Sequence, residues 1–175
     1  VGGHKARYFP WEGAELLNFG VEFLKAINRG EKPHVGKNVV VIGGGEVGCE
    51  AAMHLAEKGH KATVIEMRDR LAADATLIHY HEMFDAAWEA HGCDSLLGCA
   101  VTEVKEGEVC FKRADGTEGS VKADSIVVSA GMKPMKDEAL AFFGTANEFY
   151  ILGDCKSPAT VQQANRQAFA IAHRI

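Results

Sequence analysis

This chain lacks two kinds of excess, and each absence removes a class of function. It has no surplus of basic residues: 24 Asp and Glu stand against 19 Lys and Arg, for a formal net charge of -5. Without a basic face, nothing electrostatic favours nucleic acid or an anionic membrane as partner. It also has no long apolar run. The longest stretch, Val39 to Gly45 with its glycines, falls far short of the roughly 20 apolar residues a membrane-spanning helix needs. The five cysteines, Cys49, Cys93, Cys99, Cys110 and Cys155, contain no CxxC pair, and their odd number argues against a simple disulfide framework. A reducing, cytoplasmic setting is therefore expected. Val1-Gly2-Gly3-His4-Lys5 carries neither an initiator Met nor a basic-then-apolar signal pattern, so the chain is expected to be a piece of something longer. There is no internal repeat and no low-complexity tract.

What is present reads as an ordinary globular chain, with 47% hydrophobic and 25% charged residues. The apolar residues Leu16, Leu17, Val21, Phe23, Leu24 and Ile27 follow a helical period and predict a helix over Glu15–Ile27, with Gly30 as its stop. Lys32 to Lys37 breaks that pattern. Asn38-Val39-Val40-Val41-Ile42 is then apolar on both faces, as a central parallel strand must be. A glycine loop follows, then a helical pattern closed by Gly59 and a second strand, Ala62-Thr63-Val64-Ile65-Glu66. Asp74 is a candidate cap for a further helix through Leu77, Ile78, Met83, Phe84, Ala87 and Trp88 to Gly92, with Met83, Phe84 and Trp88 expected in the core. Val101–Val104, Val109–Phe111 and Gly119–Val121 alternate with turn signals and predict a small antiparallel meander. A strand at Ser125–Ser129 ends at Ala130-Gly131-Met132-Lys133-Pro134. The tail reads as a strand, Phe149–Leu152, a Gly153-Asp154 step, and a helix from about Ala159 to Ile175.

The chemistry concentrates at Gly43-Gly44-Gly45-Glu46-Val47-Gly48. A bare GxGxxG is weak, but here it joins a strand to a helix, and Glu66 ends the second strand 23 residues after Gly43. Gly43 permits the tight turn, Gly45 lets a pyrophosphate approach the backbone, and Gly48 allows close packing of helix on strand. The helix N-terminus offers N–H groups and positive dipole to phosphate. A carboxylate at Glu66 accepts hydrogen bonds from the adenosine ribose hydroxyls and repels a 2′-phosphate, which favours NAD(H). Met67 and Arg68 continue this ribose-side loop, and an Arg at that place is able to accommodate a 2′-phosphate. The competing readings are a glycine-rich turn of no special function and a merely solvated Glu66. His79 and His81 are two apart on an expected helix, so they face different ways and no metal is expected. Cys49 is at the start of the helix and reads first as a small packed residue.

The succession Val1-Gly2-Gly3, Gly36-Lys37-Asn38-Val39-Val40-Val41-Ile42-Gly43-Gly44-Gly45, Ala130-Gly131-Met132-Lys133-Pro134 and Tyr150-Ile151-Leu152-Gly153-Asp154-Cys155 resembles the pyridine nucleotide-disulfide reductase superfamily, in which an NAD(P)H domain is inserted within an FAD domain. Gly153-Asp154-Cys155 with the following Gln162-Gln163-Ala164-Asn165-Arg166-Gln167-Ala168 resembles the C-terminal part of NADH:flavin oxidoreductases related to 2-enoate reductase and 2,4-dienoyl-CoA reductase. The resemblance implies an α/β, Rossmann-type βαβ domain at 37–131, flanked by FAD-domain segments at 1–36 and 132–175. It implies that Gly131, Gly153 and Asp154 belong to the cofactor-binding set, with Asp154 on the FAD ribitol, and that Glu50 contacts the nicotinamide carboxamide. On local grounds Asp154 is also a turn or N-cap residue, and Glu50 a first-turn carboxylate favoured by the helix dipole.

The expected function is the NADH-binding portion of an oxidoreductase that passes hydride from NADH to FAD, for reduction of an activated C=C bond. The resemblance implies FMN and a 4Fe-4S cluster in the remainder of such an enzyme; this chain itself has no second dinucleotide fingerprint, no CxxxxC pair, no iron–sulfur cysteine set and no barrel. Its expected partners are NADH, FAD and the rest of the same enzyme. The alternatives are an NADH oxidase or ferredoxin-reductase type of flavoprotein, and a module that senses NAD without chemistry.

Overall fold

A run of residues apolar on both faces belongs in the middle of a sheet, and Val39, Val40 and Val41 are at most 1% exposed in the computed structural model of this chain. The structure describes residues 4–75 and 80–174, and not the side chain of Leu24. The described elements, in chain order, are β1 (His4–Ala6), β2 (Leu17–Phe19), α1 (Gly20–Asn28), β3 (Asn38–Ile42), α2 (Glu46–Glu57), β4 (Lys61–Ile65), α3 (Tyr80–His91), β5 (Asp94–Leu96), β6 (Cys99–Lys105), β7 (Glu108–Arg113), β8 (Glu118–Lys122), β9 (Ser125–Val128), β10 (Met132–Pro134), α4 (Lys136–Leu140) and α5 (Val161–Ala172). They fall into two compact units. One runs from Tyr8 to Ala130, and the other joins the N-terminal residues through Arg7 to Gly131 and beyond.

The first unit is built on a parallel sheet of order β2-β9-β3-β4-β5. Successive side chains of a strand point to opposite faces, and both faces here are covered. Val39 and Val41 turn to one side, where Phe23 of α1, Ala52 and Leu55 of α2, and Val64 pack with them. Val40 and Ile42 turn to the other, against Cys99, Val104, Val109 and Phe111 of the antiparallel meander β6-β7-β8. This α/β arrangement with a small antiparallel sheet is the fold class expected. Phe84 of α3 is 6% exposed as expected, but Met83 is 74% exposed and lies on the solvent side of that helix. Leu77, Ile78 and His79 lie outside the described residues.

The helix expected over Glu15–Ile27 begins only at Gly20. Ala14–Leu16 is a single 3-10 turn, and Leu17–Phe19 pairs in parallel with Ile126–Val128 as the sheet's edge strand. Pairing to an available sheet edge satisfies three residues' worth of backbone at once and overrides a weak local period. Because β2 and α1 pack with the sheet, the compact unit starts well upstream of Lys37.

In the second unit β1 pairs antiparallel with β10, His4 facing Pro134 and Ala6 facing Met132. The hydroxyl of Thr160 caps α5 by accepting from the Gln163 N–H at 3.3 Å. No described residue of this unit is buried, and Phe143, Val161 and Phe169 are more than 60% exposed. Phe149–Leu152, expected as a strand, has no strand alongside it; β1 and β10, the unit's described strands, are paired with each other. An extended segment without a ladder partner is not a strand. Val1-Gly2-Gly3 and Ile175 lie outside the described residues.

Candidate functional site

The turn from β3 to α2 is shaped by four glycines, each for its own reason. Gly43 has φ 104°, and its N–H donates to the Ile65 carbonyl at 2.9 Å. A Cβ there would lie 2.8 Å from the Ser129 carbonyl group. At Gly48 a Cβ would run into the carbonyl oxygen of Gly43, so α2 can leave the strand this closely only with glycine. At Gly44 a Cβ would press on Leu71 Cδ2 and Glu66 Cβ, 2.7 and 2.9 Å away. Gly45 differs. It occupies the N-cap position of α2, no side chain caps the helix there, and a Cβ would meet nothing within 4 Å. Open space therefore faces the uncapped start of a 12-residue helix, whose free N–H groups and dipole favour an anion.

Glu66 follows β4 and reaches back to this loop. Its Oε2 accepts from the Gly44 N–H at 2.6 Å and its Oε1 from the Arg68 N–H at 2.9 Å. Two backbone donors hold the carboxylate in one orientation, and each oxygen keeps a second lone pair for a ligand hydroxyl. The chain then closes a strap over the glycines. Ala72, fully buried and in the left-handed region at φ 47°, donates its N–H to the Gly44 carbonyl at 2.7 Å. The Cys49 thiol donates to the same carbonyl at 3.4 Å. Burial pushes the Cys49 thiol up to about 12, so it is a neutral packed group and not a nucleophile.

Around this centre Met67 is 73% exposed, Val47 is 50% exposed, and Glu46 and Glu50 are exposed on the first turns of α2. The Tyr80 phenol, stacked on Phe84, is pushed up to about 12 by burial first and then by the Glu50 and Glu46 carboxylates. Asp74 is expected to cap a helix whose start lies outside the described residues; its Oδ1 accepts from Arg68 Nη1 at 2.8 Å. The structure thus brings Gly43–Gly48, Glu66 and Arg68 into one constellation.

Gly131, Gly153 and Asp154 belong to the second unit. The Gly131 carbonyl accepts from the Arg7 N–H at 3.4 Å, and the Gly153 N–H donates to Gln167 Oε1 at 2.9 Å. Asp154 Oδ2 lies 2.7 Å from His4 Nδ1, and its Oδ1 accepts from the Ala159 N–H at 3.3 Å. Among the described residues no three His, Cys, Asp or Glu side chains gather as a metal site. His81 instead packs its ring nitrogens on Arg70 Nη2, the nearer at 2.8 Å. Sequence reasoning missed Leu71, Ala72 and His4, since an alanine at positive φ and a histidine 150 residues from its carboxylate have no local signature.

Residues 1–168 match the family described as pyridine nucleotide-disulphide oxidoreductase. An NADH oxidase of Thermoanaerobacter brockii is 29% identical over 175 residues, covering 99% of this chain and 25% of that protein. A cinnamate reductase of Clostridium sporogenes is 28% identical over 175 residues, again 99% of this chain and 25% of its own length. A 2-naphthoyl-CoA reductase, solved in complex with 2-naphthoyl-CoA, superposes with a TM-score of 0.82 at 25% identity, over 99% of this chain and 26% of that one. The chain thus spans about a quarter of the length of each of these relatives.

Proposed function

The chain belongs to the pyridine nucleotide-disulphide oxidoreductase family, and from that premise we propose that its Tyr8–Ala130 unit binds NADH as the hydride-supplying part of a flavin-dependent oxidoreductase. The family works with NAD(P)H and FAD. One observation carries the reading: a glycine-shaped turn whose third glycine faces open space at an uncapped helix N-terminus, with the Glu66 carboxylate locked beside it. In this reading the pyrophosphate lies over Gly45 against the first N–H groups of α2, and the adenosine ribose hydroxyls donate to Glu66. Glu50, on the exposed side of α2 near Tyr80, is assigned to the nicotinamide carboxamide. NADH supplies the hydride; these residues bind and orient it.

The second unit is assigned to the flavin side, with Asp154 directed at the ribitol and Gly131 and Gly153 near the cofactor. Its residues do not make a complete FAD site. No other glycine loop in the chain has dinucleotide spacing to hold the FAD pyrophosphate.

For the parent enzyme we assign reduction of an activated C=C bond, supported by the cinnamate reductase and the 2-naphthoyl-CoA reductase among the relatives. The similar NADH oxidase supports a second reading, in which the electrons leave the flavin for a different acceptor. Calorimetric titration of the chain tests the nucleotide assignment. NADH should bind more tightly than NADPH by about fivefold or more, because Glu66 meets the 2′-phosphate with like charge. Absence of NADH binding overturns the proposal, and equal or tighter NADPH binding overturns the preference.

A further inference from the structure

The ribose-side loop from Glu66 to Asp74 carries three carboxylates, Glu66, Asp69 and Asp74, and two guanidinium groups, Arg68 and Arg70. Both guanidinium groups already have partners. Arg70 Nη2 lies against the His81 ring, and Arg68 Nη1 donates to Asp74 Oδ1 at 2.8 Å. The pairing of Arg68 is set up by backbone geometry. Its own N–H is held by Glu66 Oε1, which anchors the residue beside the carboxylate assigned to the ribose. Ala72, buried at φ 47° and bonded to the Gly44 carbonyl, turns the chain back so that Asp74 returns toward Arg68.

We propose that Asp74 is a specificity-determining residue, which holds the Arg68 guanidinium and so withholds the loop's nearest cation from a nucleotide 2′-phosphate. The inference deepens the assignment of this loop to NADH and rests on it. A 2′-phosphate is recognised best by a guanidinium that is free to donate two parallel N–H bonds. With Asp74 in place, the phosphate must displace a carboxylate already bound to Arg68 and then lie near both Glu66 and Asp74. Without Asp74, Arg68 is free to donate to the phosphate, with the Glu66 and Asp69 carboxylates of the loop remaining. The two partners are 54% and 82% exposed. Exposed pairs of this kind contribute little to stability, so removing the carboxylate changes the loop's charge and leaves the fold in place.

The test compares dissociation constants for NADH and NADPH, measured by calorimetry on the chain as it stands, on Asp74→Asn and on the double variant Arg68→Gln/Asp74→Asn. Circular dichroism verifies that each is folded, and Asp74→Ala serves as a second single variant. Asp74→Asn should lower the ratio of NADPH to NADH dissociation constants about fivefold, and the gain should shrink as salt rises. The double variant should lose the gain, because the freed guanidinium is what produces it. An unchanged ratio in both single variants overturns the proposal, as does a double variant that keeps the gain. Either result, with NADH still binding to the parent chain, leaves the NADH assignment standing. A parent chain that binds neither nucleotide overturns that assignment and this inference together.

Discussion

Gly43, Gly44, Gly45 and Gly48 lie within six residues of one another, yet the structure asks something different of each. Gly45 has φ -70° and ψ 175°, backbone that any residue adopts, and its missing side chain faces open space. Gly48 has no such room, because its Cβ would collide with the Gly43 carbonyl oxygen. Two substitutions in one loop should therefore fail in opposite ways. Gly45→Val is expected to keep the circular dichroism spectrum and melting temperature while abolishing NADH binding, since the isopropyl group fills the space assigned to the pyrophosphate. Gly48→Ala is expected to lose about 1–3 kcal/mol of stability as α2 is forced away from β3, which urea titration measures. A folded Gly45→Val chain with normal NADH affinity would remove this loop as the phosphate cradle.

At the scale of elements, α2 joins packing to function. Its Cys49, Ala52 and Leu55 are buried, which fixes the helix on the sheet, and the same rigid attachment aims its N-terminus at the glycine loop. Cys49 is the residue where burial is readable by titration. In the unfolded chain its thiol ionises near the ordinary 9.0, whereas in the folded chain burial holds it neutral to about 12. Between those values the unfolded state binds fewer protons than the folded one. Its contribution to stability is thus complete below pH 9.0 and lost as pH rises toward 12. At pH 8 Cys49 should resist iodoacetamide in the folded chain and react once the chain is unfolded in urea, read by peptide mass spectrometry. Rapid alkylation of folded Cys49 would show that α2 does not seal the thiol.

The whole molecule is uneven. The Tyr8–Ala130 unit has two apolar clusters, one on each face of its sheet, while the second unit buries none of its described residues. Burial of apolar surface is the main favourable contribution to folding, so the two units should differ in how firmly they are held. The second unit, proposed for the flavin side, carries Asp154 and a capped α5 but no glycine loop of its own to grip a pyrophosphate. A large ligand held at one end pays for its lost freedom with too few contacts. The purified chain should therefore be colourless, and amides of 131–174 should exchange with solvent faster than those of β3, β4 and β9. Stoichiometric flavin absorbance in the purified chain would place FAD on Gly43–Gly48 and undo the division into an NADH unit and a flavin-side unit.

By itself the sequence determined the features that depend on short spacings. A β-branched run, GxGxxG and an acid 23 residues on are enough to predict β3, α2, β4 and the Glu66 carboxylate beside the loop, because a strand-turn-helix of this closeness is a local steric problem. The meander was legible for the same reason, from turn residues between alternating segments. Tertiary structure decided what depends on partners far along the chain. Leu17–Phe19 is a strand because β9 offers an edge, and Phe149–Leu152 is not one because no described strand runs beside it. Ala72 takes its left-handed turn because the Gly44 carbonyl accepts its N–H. Arg68 points to Asp74 because that turn returns the chain. A local period records which face of a segment is apolar; it carries no record of which backbone or charge will stand opposite once the chain has closed on itself.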